Sequence, residues 1–132
     1  MTILVAGDFF IEDNFKNKPL IDTSVENLFE DADYRIVNLE APLTSDIRKN
    51  RILKTGPYLR VSPETILPYL RQLKVNIVTL ANNHIMDYGK IGLSETLSTL
   101  QENQIGCVGA GYNLQEAGKP FTINKERMKI AI

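Results

Sequence analysis

The residues of this sequence that could do chemistry stand just after apolar runs. The densest group is LANNHIMDYG, residues 80–89, where two asparagines, an aspartate and the chain's one histidine, His84, follow the apolar run 75–80. Two carboxylates occupy matching positions, Asp8 closing TILVAGD and Glu40 following YRIVNL. Carboxylate oxygens suit hard divalent cations, and an asparagine carbonyl or an imidazole nitrogen can complete the shell of Mn, Fe or Zn. A cation held there would lower the pKa of a bound water and polarise a phosphoryl or carbonyl oxygen. A neighbouring histidine could protonate a leaving group, because its unperturbed pKa lies near neutrality.

Each residue also has a plainer role open to it. Gly-Asp after a strand is ordinary turn chemistry, and Glu40, before Ala41-Pro42, could be a solvated strand end. Asn82 and Asn83 tolerate a left-handed backbone and could serve only to shape a turn. Asp87 reads as the N-cap of the helix that follows. What favours a site is that the three polar strand ends occur together, in strand order. Ligands of an open α/β sheet gather at the carboxyl ends of its parallel strands.

The elements that would position these groups alternate along the chain. Residues 2–6 read as a buried strand with a sharp exit at Gly7-Asp8, and residues 9–22 as loop. Thr23-Ser24 can cap a helix running to about Asp31, with Val25, Leu28 and Phe29 at helical spacing. Residues 34–39 form a second strand, 41–56 a long polar and basic loop, and 58–61 a short extended piece. Ser62-Pro63 opens a helix to about Leu73, which Pro68 should bend or restart. A third strand at 75–80 leads into the polar loop 81–88. Leu93, Leu97 and Leu100 then mark one face of a helix over 90–102. A fourth strand at 105–108, a short helix near 114–117, and two further strands at 121–123 and 128–132 complete the reading. The alternation predicts an α/β fold, a partly parallel sheet flanked by helices, as one domain over 1–132. The last strand ends the chain, which suggests that the natural protein continues and that an unfinished sheet edge could pair with another copy.

Composition narrows the function classes. Fifteen basic against sixteen acidic residues leave a net charge of −1 over 132 residues, without the basic patch that nucleic-acid binding requires. The run Arg48-Lys49-Asn50-Arg51 is a single short basic stretch, read as a solvated loop able to steer anions. The lone Cys107 excludes an internal disulfide and, in IGCVGA, reads as a buried, inert thiol. No run approaches the ~20 apolar residues of a membrane helix. The N-terminus lacks the basic n-region of a signal peptide, so the cytoplasm is the expected location, with cell-surface association still open.

In order and spacing, GDFF, VNLEAPLT, LANNHIMDYG and VGAGYNLQEAGKP resemble the bacterial poly-gamma-glutamate capsule synthesis (CapA-like) family over about residues 2–123. That family is similar in fold to the calcineurin-like metallophosphoesterases. The resemblance implies a metal-dependent hydrolase, acting on a phosphoester or gamma-glutamyl-type bond of an anionic small molecule or polyglutamate-like polymer. It implies Asp8, Glu40 and Asn83 as ligands of a divalent Mn, Zn or Fe, and His84 as the group contacting the scissile bond. Asn38 and Asn82 would support them, and Lys54 and Arg60 would hold the anionic substrate. Two departures stand against full activity: Phe10 replaces a histidine usual in metallophosphoesterases, and His84 has no second histidine to join it. The expectation is therefore the N-terminal portion of a longer metallophosphoesterase-like domain, incomplete as a metal site. The alternative is a non-enzymatic capsule-assembly or polymer-binding module that keeps the motif as scaffold.

Overall fold

Four apolar runs form four parallel strands: β1 (Ile3–Phe9), β2 (Tyr34–Leu39), β3 (Ile77–Thr79) and β4 (Gly106–Val108). The computed structural model describes residues 1–125 and 127–132. The strands lie in the order β1-β2-β3-β4, each beside its successor in sequence. The crossovers carry α1 (Thr23–Glu30), α2 (Pro63–Gln72) and α3 (Gly89–Glu102). Parallel crossovers are almost always right-handed, so this order stacks all three helices on one face of the sheet. After β4 come a single turn of helix, α4 (Leu114–Ala117), and an antiparallel hairpin of β5 (Thr122–Lys125) and β6 (Met128–Ala131). The parallel sheet flanked by helices is the α/β class expected, and it is consistent with a metallophosphoesterase-like fold.

Side chains alternate across a strand, and here the alternation sorts them into two cores. Val37 and Leu39 of β2, with Val78 and Leu80, pack against Phe29, Ile66, Leu70, Leu93 and Leu100 from the helices. Their neighbours Ile36 and Ile77 point the other way and pack with Ile123 of β5, supported by Tyr34, Phe121 and Ile130. The hairpin thus covers the second face only near the beginnings of the strands. Val5, one step further along β1, is 71% exposed. Each fully buried leucine or isoleucine contributes roughly 1.5–3 kcal/mol, so the helix side carries most of the stability.

Several local expectations need correcting. β1 does not exit at Gly7; it continues to Phe9, with a register shift between Val5↔Ile36 and Asp8↔Asn38. Three residues of β1 therefore span two of β2, which is a β-bulge. A regular strand of the same sequence would set Gly7 opposite Asn38 and turn Asp8 toward the helices. The bulge instead puts Asp8 on the hairpin side and Phe9 in the helix-side core. Asp22, rather than Thr23 or Ser24, caps α1, accepting from the Ser24 amide at 2.8 Å. α2 runs unbroken through Pro68. Asp87 does not cap α3: the residue before that helix is Tyr88, with no side-chain cap. The last two strands form, as expected, a consecutive pair, antiparallel and in a sheet of their own.

Candidate functional site

The bulge sets Asp8 directly across from Asn38, and the Asn38 amide donates to Asp8 Oδ1 at 2.6 Å. Asn38 Oδ1 in turn accepts from Thr79 Oγ1 at 3.0 Å and from Asn82 Nδ2 at 3.3 Å. Asn82 Nδ2 also donates to the Leu39 carbonyl at 2.9 Å. One polar row therefore crosses the carboxyl ends of β1, β2 and β3 on the face the helices do not cover. Ile36 and Ile77, two residues earlier, fill the same face with apolar groups.

Asn82 then organises the turn. Its Oδ1 accepts from the amides of His84 and Ile85, both at 3.0 Å, in the manner of an Asx turn. The left-handed role open to Asn82 and Asn83 is not the one they play. Among the described residues, only Asn17, Lys74 and Gln104 combine a side chain with positive φ. The left-handed position falls on Gly89, at φ +58, where the turn becomes α3. Asn83 makes no side-chain hydrogen bond within the described residues and is exposed, so neither the turn nor the fold uses it.

His84 is 8% exposed, and its Nδ1 lies 2.8 Å from Asp87 Oδ2. Asp87 is fully buried and holds three partners: the His84 ring, the Leu59 amide at 2.8 Å and the Lys54 ammonium. Burial alone would raise its carboxyl, but the hydrogen bonds from Lys54, His84 and the Leu59 amide outweigh it and hold Asp87 below the usual carboxylate range. An ionised Asp87 can only accept, so His84 Nδ1 carries the proton. In its neutral form the ring would bear its lone pair on Nε2. No buried side-chain nitrogen or oxygen among the described residues lacks a partner, so the unpaired Nε2 reaches the surface. The ring is oriented as a general acid–base group would be.

The predicted residues fall into three groups. Asp8, Asn38, Asn82 and His84 belong to one hydrogen-bonded system. Among the described residues Glu40 and Asn83 flank it with no side-chain hydrogen bond, and Asp8 Oδ2 likewise has no partner there. Lys54 and Arg60 turn inward: Lys54 pairs with Asp87, and Arg60 donates to Asp13 Oδ2 at 2.7 Å and the Thr44 carbonyl at 3.3 Å. Sequence reasoning missed the part Asp87 plays. Its separation of three residues from His84 was the available signal, and a cap reading absorbed it. Cys107 is half-buried, and burial pushes its thiol up, which suits an inert group.

The uncommitted oxygens of Asp8, Glu40 and Asn83 are hard donors of the type that divalent cations take. They fit such an ion as far as they go. Three ligands fall short of a tetrahedral or octahedral shell. Among the described residues no group of three or more His, Cys, Asp or Glu side chains could hold a metal ion.

The sequence matches a family profile described as bacterial capsule synthesis protein PGA_cap over residues 2–132. It is 33% identical over 101 residues to the PGA biosynthesis protein CapA of Bacillus subtilis, covering 76% of this chain and 26% of that protein. A probable polyglutamine synthesis accessory protein of Mycobacterium tuberculosis is 35% identical over 101 residues, at 74% and 26% coverage. The capsule biosynthesis protein CapA of Bacillus anthracis is 27% identical over 108 residues, at 81% and 26%. The chain spans about a quarter of the length of these curated relatives.

Proposed function

The chain belongs to the bacterial capsule synthesis protein family PGA_cap, and from that premise we propose that its strand-end cluster is one part of a metal-dependent hydrolase site serving capsule polymer synthesis. The bond attacked is a phosphoester or a gamma-glutamyl-type amide in an acidic substrate. The observation that carries this reading is the division of labour among the polar groups. Asn38, Asn82 and Asp87 spend their side chains on holding others in place, while Asp8 Oδ2, Glu40, Asn83 and His84 Nε2 are left for something outside the fold.

In this reading Asp8, Glu40 and Asn83 give oxygen ligands to a divalent Mn, Zn or Fe, and the rest of the shell comes from outside these residues. When bound, such an ion supplies Lewis-acid polarisation and a more acidic water. Asn38 fixes the Asp8 carboxylate so that Oδ2 stays available. Asp87 keeps the proton of neutral His84 on Nδ1, so a second proton taken up at Nε2 can pass to the leaving group. General acid–base work of that kind is worth roughly 10²–10⁴ in rate.

The test is turnover by the protein at its natural length. Metal-dependent hydrolysis should fall by about 10² or more in His84→Ala and in Asp8→Asn. Unchanged turnover in both variants would remove this site from the reaction. A second reading, a non-enzymatic polymer-binding module, is favoured by the three-ligand shortfall. It requires binding of an acidic polymer and no metal-dependent turnover.

A further inference from the structure

Next to the His84–Asp87 pair lies a cavity of about 380 Å³, whose lining includes Phe10, Glu12, Arg51, Tyr58, Arg60 and Tyr88. Leu59, whose amide holds Asp87, is also in its wall. The volume is at the small end for ligand sites, enough for a small unit. Among its charges, Arg60 is committed to Asp13, whose carboxylate also takes the Ser62 amide and hydroxyl at 2.9 and 2.8 Å. That leaves Arg51 and Glu12.

Arg51 is held in an unusual way for an exposed arginine. Its guanidinium carbon lies 4.7 Å from the centroid of the Tyr58 ring and 5.6 Å from that of Tyr88, and its Nε donates to Tyr88 Oη at 3.0 Å. Both rings are fixed in turn. Tyr88 is fully buried and donates to the Ile47 carbonyl at 3.1 Å, and Tyr58 donates to the Ile52 carbonyl at 2.7 Å. Among the described residues no carboxylate pairs with Arg51, and its two terminal nitrogens make no hydrogen bond to any of them. Most exposed arginines pay side-chain entropy when they bind; this one is already ordered, with its fork unspent.

We propose that this cavity is a binding subsite for a carboxylate with an amide or ammonium N–H beside it, an amino-acid-type unit. Arg51 takes the carboxylate through its two terminal nitrogens. Glu12, which has no side-chain partner among the described residues, accepts from the N–H, while Phe10 and Tyr58 give the apolar wall. The proposal rests on the reading above that the ligand is acidic, and it uses no metal. It makes Arg51, rather than Lys54 or Arg60, the residue that reads the ligand's charge.

The test is a titration of N-acetylglutamate into the ¹⁵N-labelled chain in EDTA, followed by amide shifts. Saturable shifts are expected at Ile47, Arg51, Tyr58 and Tyr88. Arg51→Met should weaken the affinity at least about tenfold, since a charge-assisted fork is lost. Arg51→Lys should fall between, because a point charge cannot replace the fork. Arg48→Met, in the same basic run but outside the cavity, should leave the affinity unchanged. Equal loss in Arg48→Met and Arg51→Met would mean diffuse attraction and would overturn the proposal, as would the absence of saturable shifts. Inorganic phosphate binding as tightly at the same amides would overturn the carboxylate assignment. Binding that appears only with Mn²⁺ would also overturn the subsite while leaving the hydrolase reading intact. Metal-free binding beside failed turnover would do the reverse.

Discussion

On the helix side of the parallel sheet, Leu4, Phe9, Leu39 and Leu80 keep the surface apolar to the carboxyl ends of the strands. The opposite face is built from the same strands but changes character midway. Ile36 and Ile77 meet the β5–β6 hairpin, and two residues later Asn38 and Thr79 join Asp8 in a polar row. The hairpin stops where the polarity begins. One face is finished by packing alone; the other is finished by packing at one end and by a side-chain network at the other. The difference teaches that a strand carries fold and site at once, on alternate residues, and that a single bulge in β1 decides which face Asp8 joins.

The largest expected effect comes from breaking the network at its buried centre. Asp87→Ala strands the Lys54 ammonium, the Leu59 amide and the His84 ring, and should cost about 3–5 kcal/mol in urea unfolding. A cost under ~1 kcal/mol would show that the centre is solvated and not structural. Next, Leu39→Ala on the helix side should cost about 2–5 kcal/mol, because Leu39 is wholly buried. Ile123→Ala should cost less and act locally, speeding amide exchange in β5 and β6 while β1–β4 stay protected. Uniform acceleration across both sheets would merge the two faces into one cooperative unit.

The pH dependence is smaller and has a defined sign. Asp87 is held below its ordinary value, so its stabilisation is present above the unfolded carboxyl pKa of about 3.9 and is lost as pH falls through the folded value. Asp87→Asn should therefore unfold with a flatter acid limb than the wild type, and a parallel limb would contradict the assignment. The smallest stability effect belongs to the open end of the row. Asp8→Asn should change unfolding by no more than about 0.5 kcal/mol, since the exposed carboxylate supports nothing else.

Much of this was legible in the sequence where periodicity was strong. The four strand runs and the Leu93–Leu97–Leu100 face of α3 announce themselves by apolar spacing, and the parallel order follows from the strand–helix alternation. Asp8, Glu40 and Asn82 were legible as candidates because short polar groups at three strand ends are hard to explain separately, whereas Asn38 came only from the family resemblance. What spacing could not show was long-range pairing. Lys54 and Asp87 lie 33 residues apart, and nothing local in either marks a partner; Lys54 reads as a substrate-binding cation and Asp87 as a helix cap. The bulge escaped for the same reason: it is a mismatch between β1 and β2, not a property of β1. Arg51 sat inside a basic run that looked uniformly solvated, and only the folded positions of Tyr58 and Tyr88 separate it from Arg48.

The central proposal is that the open end of the second face presents the uncommitted oxygens of Asp8, Glu40 and Asn83 to a cation. The direct measurement is a titration of the ¹⁵N-labelled chain with substoichiometric Mn²⁺, reading which amide signals broaden first. The account predicts selective loss at Asp8, Glu40 and Asn83, abolished in an Asp8→Asn, Asn83→Ala double variant. Broadening spread over exposed acidic positions such as Asp31 and Glu102, unaltered by that double variant, would contradict it.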